Sequence, residues 1–75
     1  SYIKENISDP NGHVLQGLIQ EAGGDTTAAE NAFRKALYLD PKNHEGLVHL
    51  SLLLDRMGDS IGADLLKKRI KRLDT

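Results

Sequence analysis

The apolar positions of this chain fall in helical rhythm. Ala29, Ala32, Phe33, Ala36 and Leu37 follow an i, i+3, i+4, i+7 spacing, which lines one face of an α-helix. Leu47, Leu50, Leu54 and Met57 repeat that rhythm, and Leu65, Leu66, Ile70 and Leu73 repeat it again. No stretch alternates long enough to read as a strand. The residues between these faces punctuate them. Gly23-Gly24 and Gly58 suit the positive-φ position that ends a helix. Asp25 and Asp59 follow at once, with carboxylates able to cap the next helix start. Asp9-Pro10 and Asp40-Pro41 put aspartate at an N-cap and proline at the first helical position. The pattern predicts four helices, near 11–22, 26–39, 42–57 and 60–73.

The helices form two like pairs. At a shift of 34, Gly12 recurs as Gly46, Val14 as Val48, Leu18 as Leu52 and Ala29 as Ala63. Gly24-Asp25 recurs as Gly58-Asp59, Lys35 as Arg69, and Leu39-Asp40 as Leu73-Asp74. The matches lie at turns and core-type positions, as a structural repeat requires. Residues 1–9 read as a lead-in whose Tyr2, Ile3 and Ile7 fit either a frayed segment or the remnant of an earlier repeat. The first repeat spans about 10–43 and the second about 44–75.

The residues that recur resemble the tetratricopeptide repeat family. Gly24-Asp25, Ala29, Phe33, Ala36-Leu37, Leu39 and Asp40-Pro41 stand where that family has G-D, A, Y/F, A-L, L and D-P. Gly17 holds the small position of the first helix, but His13, Gln16 and Gln20 replace its customary Trp, Leu and Tyr. In the second copy Leu47, Leu50, Ser51 and Leu54 fit the first helix, while Lys67 and Ile70 depart from the second. The resemblance implies an all-α fold of two helix-turn-helix hairpins in a right-handed superhelix. Gly17 against Ala29, and Ser51 against Ala63, are expected to let each hairpin close, with Ala36 admitting the next helix. A narrower resemblance lies in Phe33 to Pro41 and in His44 to Leu54 followed by Arg56-Met57-Gly58-Asp59. Both runs look like repeats appended to CheR-type chemoreceptor methyltransferases, which use S-adenosylmethionine to methylate receptor glutamates.

The family's register also implies a recognition face. Tetratricopeptide arrays bind peptides on the concave side lined by the first helix of each repeat. Here that side maps to Asn11, Val14, Leu18, Glu21 and Ala22, then Glu45, Val48, Leu52, Asp55 and Arg56. The family's Lys, Asn and Arg clamp for a chaperone tail is absent, because Val14, Leu18, Val48 and Leu52 cannot donate hydrogen bonds to a carboxylate. Their aliphatic strip reads as a groove for an amphipathic helix or apolar peptide. Packing between helices is the simpler reading of any one of them.

Composition narrows the chemistry. Net charge is −1, but residues 1–40 hold three Lys/Arg against six Asp/Glu, and residues 41–75 hold seven against five. The excess collects in Lys67-Lys68-Arg69-Ile70-Lys71-Arg72. Lys67, Lys68, Lys71 and Arg72 would make an electrostatic dock for acidic protein, membrane or nucleic acid. A solvated final helix whose cations favour the negative end of its dipole is the simpler reading. Lys67, in place of a packing aromatic, suits a terminal cap. With three aromatics in all and none within the basic run, nucleic acid is disfavoured. The absence of cysteine removes disulfides and thiolate metal sites and fits a reducing, cytoplasmic setting. His13, His44 and His49 lack the spacing of a helical zinc pair. No apolar run can span a bilayer.

No catalytic set stands out. Ser8, Asp9 and His13 are neighbours only in sequence, and Asp25, Asp40 and Asp59 have capping roles. No glycine-rich cofactor loop between strand and helix is present. The chain is expected to be a non-catalytic, cofactor-free C-terminal adaptor excised from a longer protein, because it begins at Ser1. Its partner would be a protein or peptide, such as a chemoreceptor or the parent's own catalytic domain. Two repeats are fewer than the three that stand alone with ease, so added stability from a homodimer or from residues 1–8 is a further expectation.

Overall fold

A computed structural model describes residues 9–74. They form four helices: α1 (Pro10–Ala22), α2 (Thr26–Leu39), α3 (His44–Arg56) and α4 (Ser60–Asp74). There is no strand among the described residues. The expected lead-in lies outside them, apart from Asp9.

The helix ends follow from local chemistry. Asp9 caps α1, its Oδ1 accepting the Asn11 N–H at 3.0 Å, with Pro10 in the first turn. The α1–α2 and α3–α4 turns are built alike. Gly24 and Gly58 both adopt φ 86°. The Gly24 N–H donates to the Glu21 carbonyl and the Asp25 N–H to the Gln20 carbonyl, at 3.0 and 2.9 Å. Gly58 and Asp59 do the same to Asp55 and Leu54, at 3.1 and 2.8 Å. These paired bonds satisfy the last carbonyls of each helix. Gly23 stays at φ −82°, so only the second glycine of its pair needs the left-handed conformation.

Each aspartate then serves the next helix. Asp25 Oδ1 accepts from the Ala28 N–H at 3.1 Å, and Asp59 Oδ1 accepts from the Gly62 N–H at 2.9 Å. A Cβ on Gly62 would come within 2.5 Å of the Asp59 carboxylate, so the missing side chain gives the cap its room. Replacing Asp59 with alanine is expected to cost about 1 kcal/mol, the ordinary worth of an N-cap. Urea unfolding would read this as a lower midpoint with an unchanged slope.

The α2–α3 connection differs from expectation. Asp40-Pro41 does not begin the third helix. Asp40 is extended at φ −142° and ψ 90°, while its N–H still donates to the Ala36 carbonyl. A residue before proline is pushed out of the helical region, so Pro41 ends α2 instead of starting α3. The chain turns through Pro41 and Lys42, and Asn43 is the cap, accepting the Gly46 N–H at 2.8 Å.

Packing puts α3 at the centre. It buries Leu47, Leu50, Ser51, Leu53 and Leu54. These leucines join Val14, Ala29, Phe33, Ala36, Leu37, Ala63 and Leu66 in one core. The Ser51 hydroxyl donates to the Val48 carbonyl at 2.8 Å, which satisfies a polar group buried among them. Within the first hairpin the closest approach at Gly17 is to the Phe33 ring. A Cβ on Gly17 would lie 2.5 Å from Cε1 of that ring. Phe33 is wholly buried and stacks on His49, with ring centroids 5.9 Å apart.

Candidate protein-interaction surfaces

Two polar ties link α1 to α3. The Asn43 Nδ2 donates to Asn11 Oδ1 at 3.2 Å where both helices start. Arg56 pairs with Glu21 where both helices end. Start lies beside start and end beside end, so α1 and α3 run in the same direction. The sequence separations of these ties, 32 and 35 residues, bracket the 34-residue repeat. On the far flank of α3, Lys67 of α4 donates to Asp55 at 2.7 Å. That hydrogen bond, with the Asp55 and Asp64 carboxylates nearby, raises the Lys67 ammonium above the ordinary lysine range, against a lowering by desolvation.

These contacts rearrange the recognition face expected from sequence. Val14 is only 2% exposed and belongs to the core, so it has no surface to offer a partner. The closeness forced by Gly17, one turn along α1, turns that side of the helix inward. Leu18 is partly buried against the same core and Val48 is half-buried. Leu52 is 48% exposed. Asn11, Glu21, Asp55 and Arg56 reach solvent but are engaged with one another's helices or with α4. Glu45 and Ala22 are exposed. The strip of four aliphatic residues is therefore three, framed by ion pairs.

The basic run divides among helix faces, because consecutive helical residues point about 100° apart. Lys67 turns to Asp55. Lys68, Arg69 and Arg72 line a groove on another side, joined there by Arg34 of α2, and Lys71 is exposed outside it. Arg34 was no part of the expected dock. Its signal is the repeat itself, since Arg34 returns as Lys68 at the 34-residue shift. Two exposed apolar residues one turn apart on α1, Leu15 and Ile19, also escaped the sequence reading.

Among the described residues no group of His, Asp and Glu is placed to hold a metal ion, and no helix is long and apolar enough to cross a membrane. No family model matches the chain, and no solved structure matches it. Curated proteins do. The chain is 46% identical over 56 residues to a probable biofilm formation methyltransferase, WspC, of Pseudomonas putida. It is 43% identical over 56 residues to the protein of that name in Pseudomonas aeruginosa. Each match takes in 75% of this chain but only 13% of the relative.

Proposed function

We propose that the chain is a non-catalytic protein-recognition module of the tetratricopeptide type, carried at the C-terminus of a CheR-like methyltransferase that works in the cytoplasm. The observation that carries this reading is the likeness to two methyltransferases over 56 residues, in a chain that folds as two like helical hairpins. A piece spanning 13% of such a protein leaves the transfer chemistry to the rest of it. The two same-direction ties between α1 and α3 support stacking of the hairpins as successive repeats, at about 10–43 and 44–75, and the family resemblance implies the right hand of the solenoid. In that arrangement Leu18, Val48 and Leu52, framed by Asn11, Glu45, Asp55 and Arg56, form the recognition strip. Its partner is a chemoreceptor segment or the catalytic domain of the parent. Either contact would hold the enzyme near its substrate or restrain it.

An NMR shift titration tests this, using the cytoplasmic tail of a chemoreceptor and, separately, the upstream domain of the methyltransferase. Saturable shifts at Leu18, Val48 and Leu52 with either titrant are expected. Silence with both would remove the adaptor reading and leave only the fold.

A further inference from the structure

A second surface lies apart from that strip. Between α2, α3 and α4 runs a groove of about 550 Å³. Leu54, Leu65 and Leu66 supply its apolar lining. Leu54 and Leu66 are buried, whereas Leu65 is 59% exposed and presents a ready contact. Around them stand Arg34, Lys68, Arg69 and Arg72, and among the described residues no carboxylate lines the groove. Four of the chain's ten Lys/Arg thus gather in one concavity of a protein whose net charge is −1.

Two of the cations are already held in position. Arg69 Nη2 donates to the Pro41 carbonyl at 2.8 Å, which fixes α4 to the α2–α3 turn. Arg34 Nε donates to Glu30 at 2.9 Å along its own helix. Glu30 offsets the charge of Arg34 in part. A guanidinium carries five N–H donors, and each of these bonds uses one. The remaining donors match the planar fork of a carboxylate, and side chains already fixed lose less entropy on binding.

From this combination we infer that the groove between α2 and α4 docks an acidic peptide segment, with an aliphatic side chain on the leucine lining and flanking carboxylates on the four cations. Charge complementarity selects the acid, and the leucines select a peptide over a bare anion. Among the described residues no aromatic lines the groove, so a nucleic acid would find no stacking platform in them. The cations surround a concavity instead of projecting beside a broad apolar face, which is what a membrane surface would require.

The test is fluorescence anisotropy of the chain with a labelled peptide in which glutamates flank two leucines, supported by NMR shifts. Controls carry lysine for glutamate, or serine for leucine. Single-stranded DNA and phosphatidylserine vesicles are run in parallel. The acidic peptide is expected to bind saturably and to shift Leu65, Leu66 and Arg69. The lysine version should not bind, and the serine version should bind several-fold more weakly. The exposed double substitution R34E/R72E should weaken binding roughly tenfold or more at unchanged helicity, since charge reversal sets repulsion against the peptide. L52D, on the other face, should leave the peptide bound as before. Equal binding by R34E/R72E would overturn the proposal. So would shifts confined to Leu18, Val48 and Leu52, or a preference for DNA or vesicles over the peptide. Because the peptide is not a chemoreceptor segment, failure here is distinct from failure of the α1–α3 recognition strip.

Discussion

Replacing Phe33 with alanine is expected to cost about 3–5 kcal/mol. The ring is wholly buried, joins the single core cluster and stacks on His49. A chain of 75 residues has a total stability of about 4–11 kcal/mol at ordinary values per residue. The loss therefore takes a large share of what the fold has, and all of it at the lower end of that range. The molecule measures 36 × 28 × 14 Å, so little second-layer packing exists to close the cavity. Urea denaturation followed by circular dichroism reads the effect directly. F33A should show a much lower urea midpoint, with no resolved folded baseline where the parent stands at the lower end of that range. A loss under about 1 kcal/mol would contradict the burial and the packing against α1.

Gly17→Val attacks the same contact from the other side. A Cβ at this position already lies 2.5, 2.7 and 2.9 Å from three atoms of the Phe33 ring, closer than real side chains approach. Retreat of the ring would disturb its stacking on His49, with centroids 5.9 Å apart. Alanine here would regain about 1 kcal/mol of helix propensity while colliding, so its net effect is small or negative. Valine adds two methyl groups and recovers less propensity. It should reach the upper end of the roughly 1–3 kcal/mol that overpacking costs. A double-mutant cycle isolates the cause. Phe33→Leu, which shortens the ring side chain, should recover part of the loss in the valine background, so the two changes are not additive. Strict additivity would mean that the Gly17–Phe33 contact is not what valine disturbs.

Most of the helical layout is legible in the sequence, and for a physical reason. Helix faces and glycine–aspartate turns are local, so Ala29 to Leu37 and Gly24-Asp25 carry their own instructions. The misreadings concern things that local spacing does not encode. Asp40-Pro41 has the letters of a helix start, but proline acted on the residue before it, and the cap fell to Asn43 two positions on. Val14 has the register of a surface position, yet the absent side chain of Gly17 brings α1 in and buries it. The basic run read as one patch because it is continuous in sequence. On a helix it splits, with Lys67 going to Asp55 and Arg69 to Pro41. The groove needed Arg34, more than thirty residues away, which comes near because α2 and α4 both pack against α3.

The shared aspartates have a consequence for how a chain of this kind changes over generations. Asp25 and Asp59 each close one helix with a backbone N–H and open the next with a carboxylate. An inserted or deleted residue at either hairpin turn would therefore spoil two helix ends at once. The exposed Pro41-Lys42 turn divides these duties, with Asp40 ending α2 and Asn43 capping α3, so a change there spoils fewer helix ends and chiefly disturbs the Arg69 bond to the Pro41 carbonyl. Length variation is thus channelled to the boundary between hairpins, where the unit that can be gained or lost is a whole hairpin.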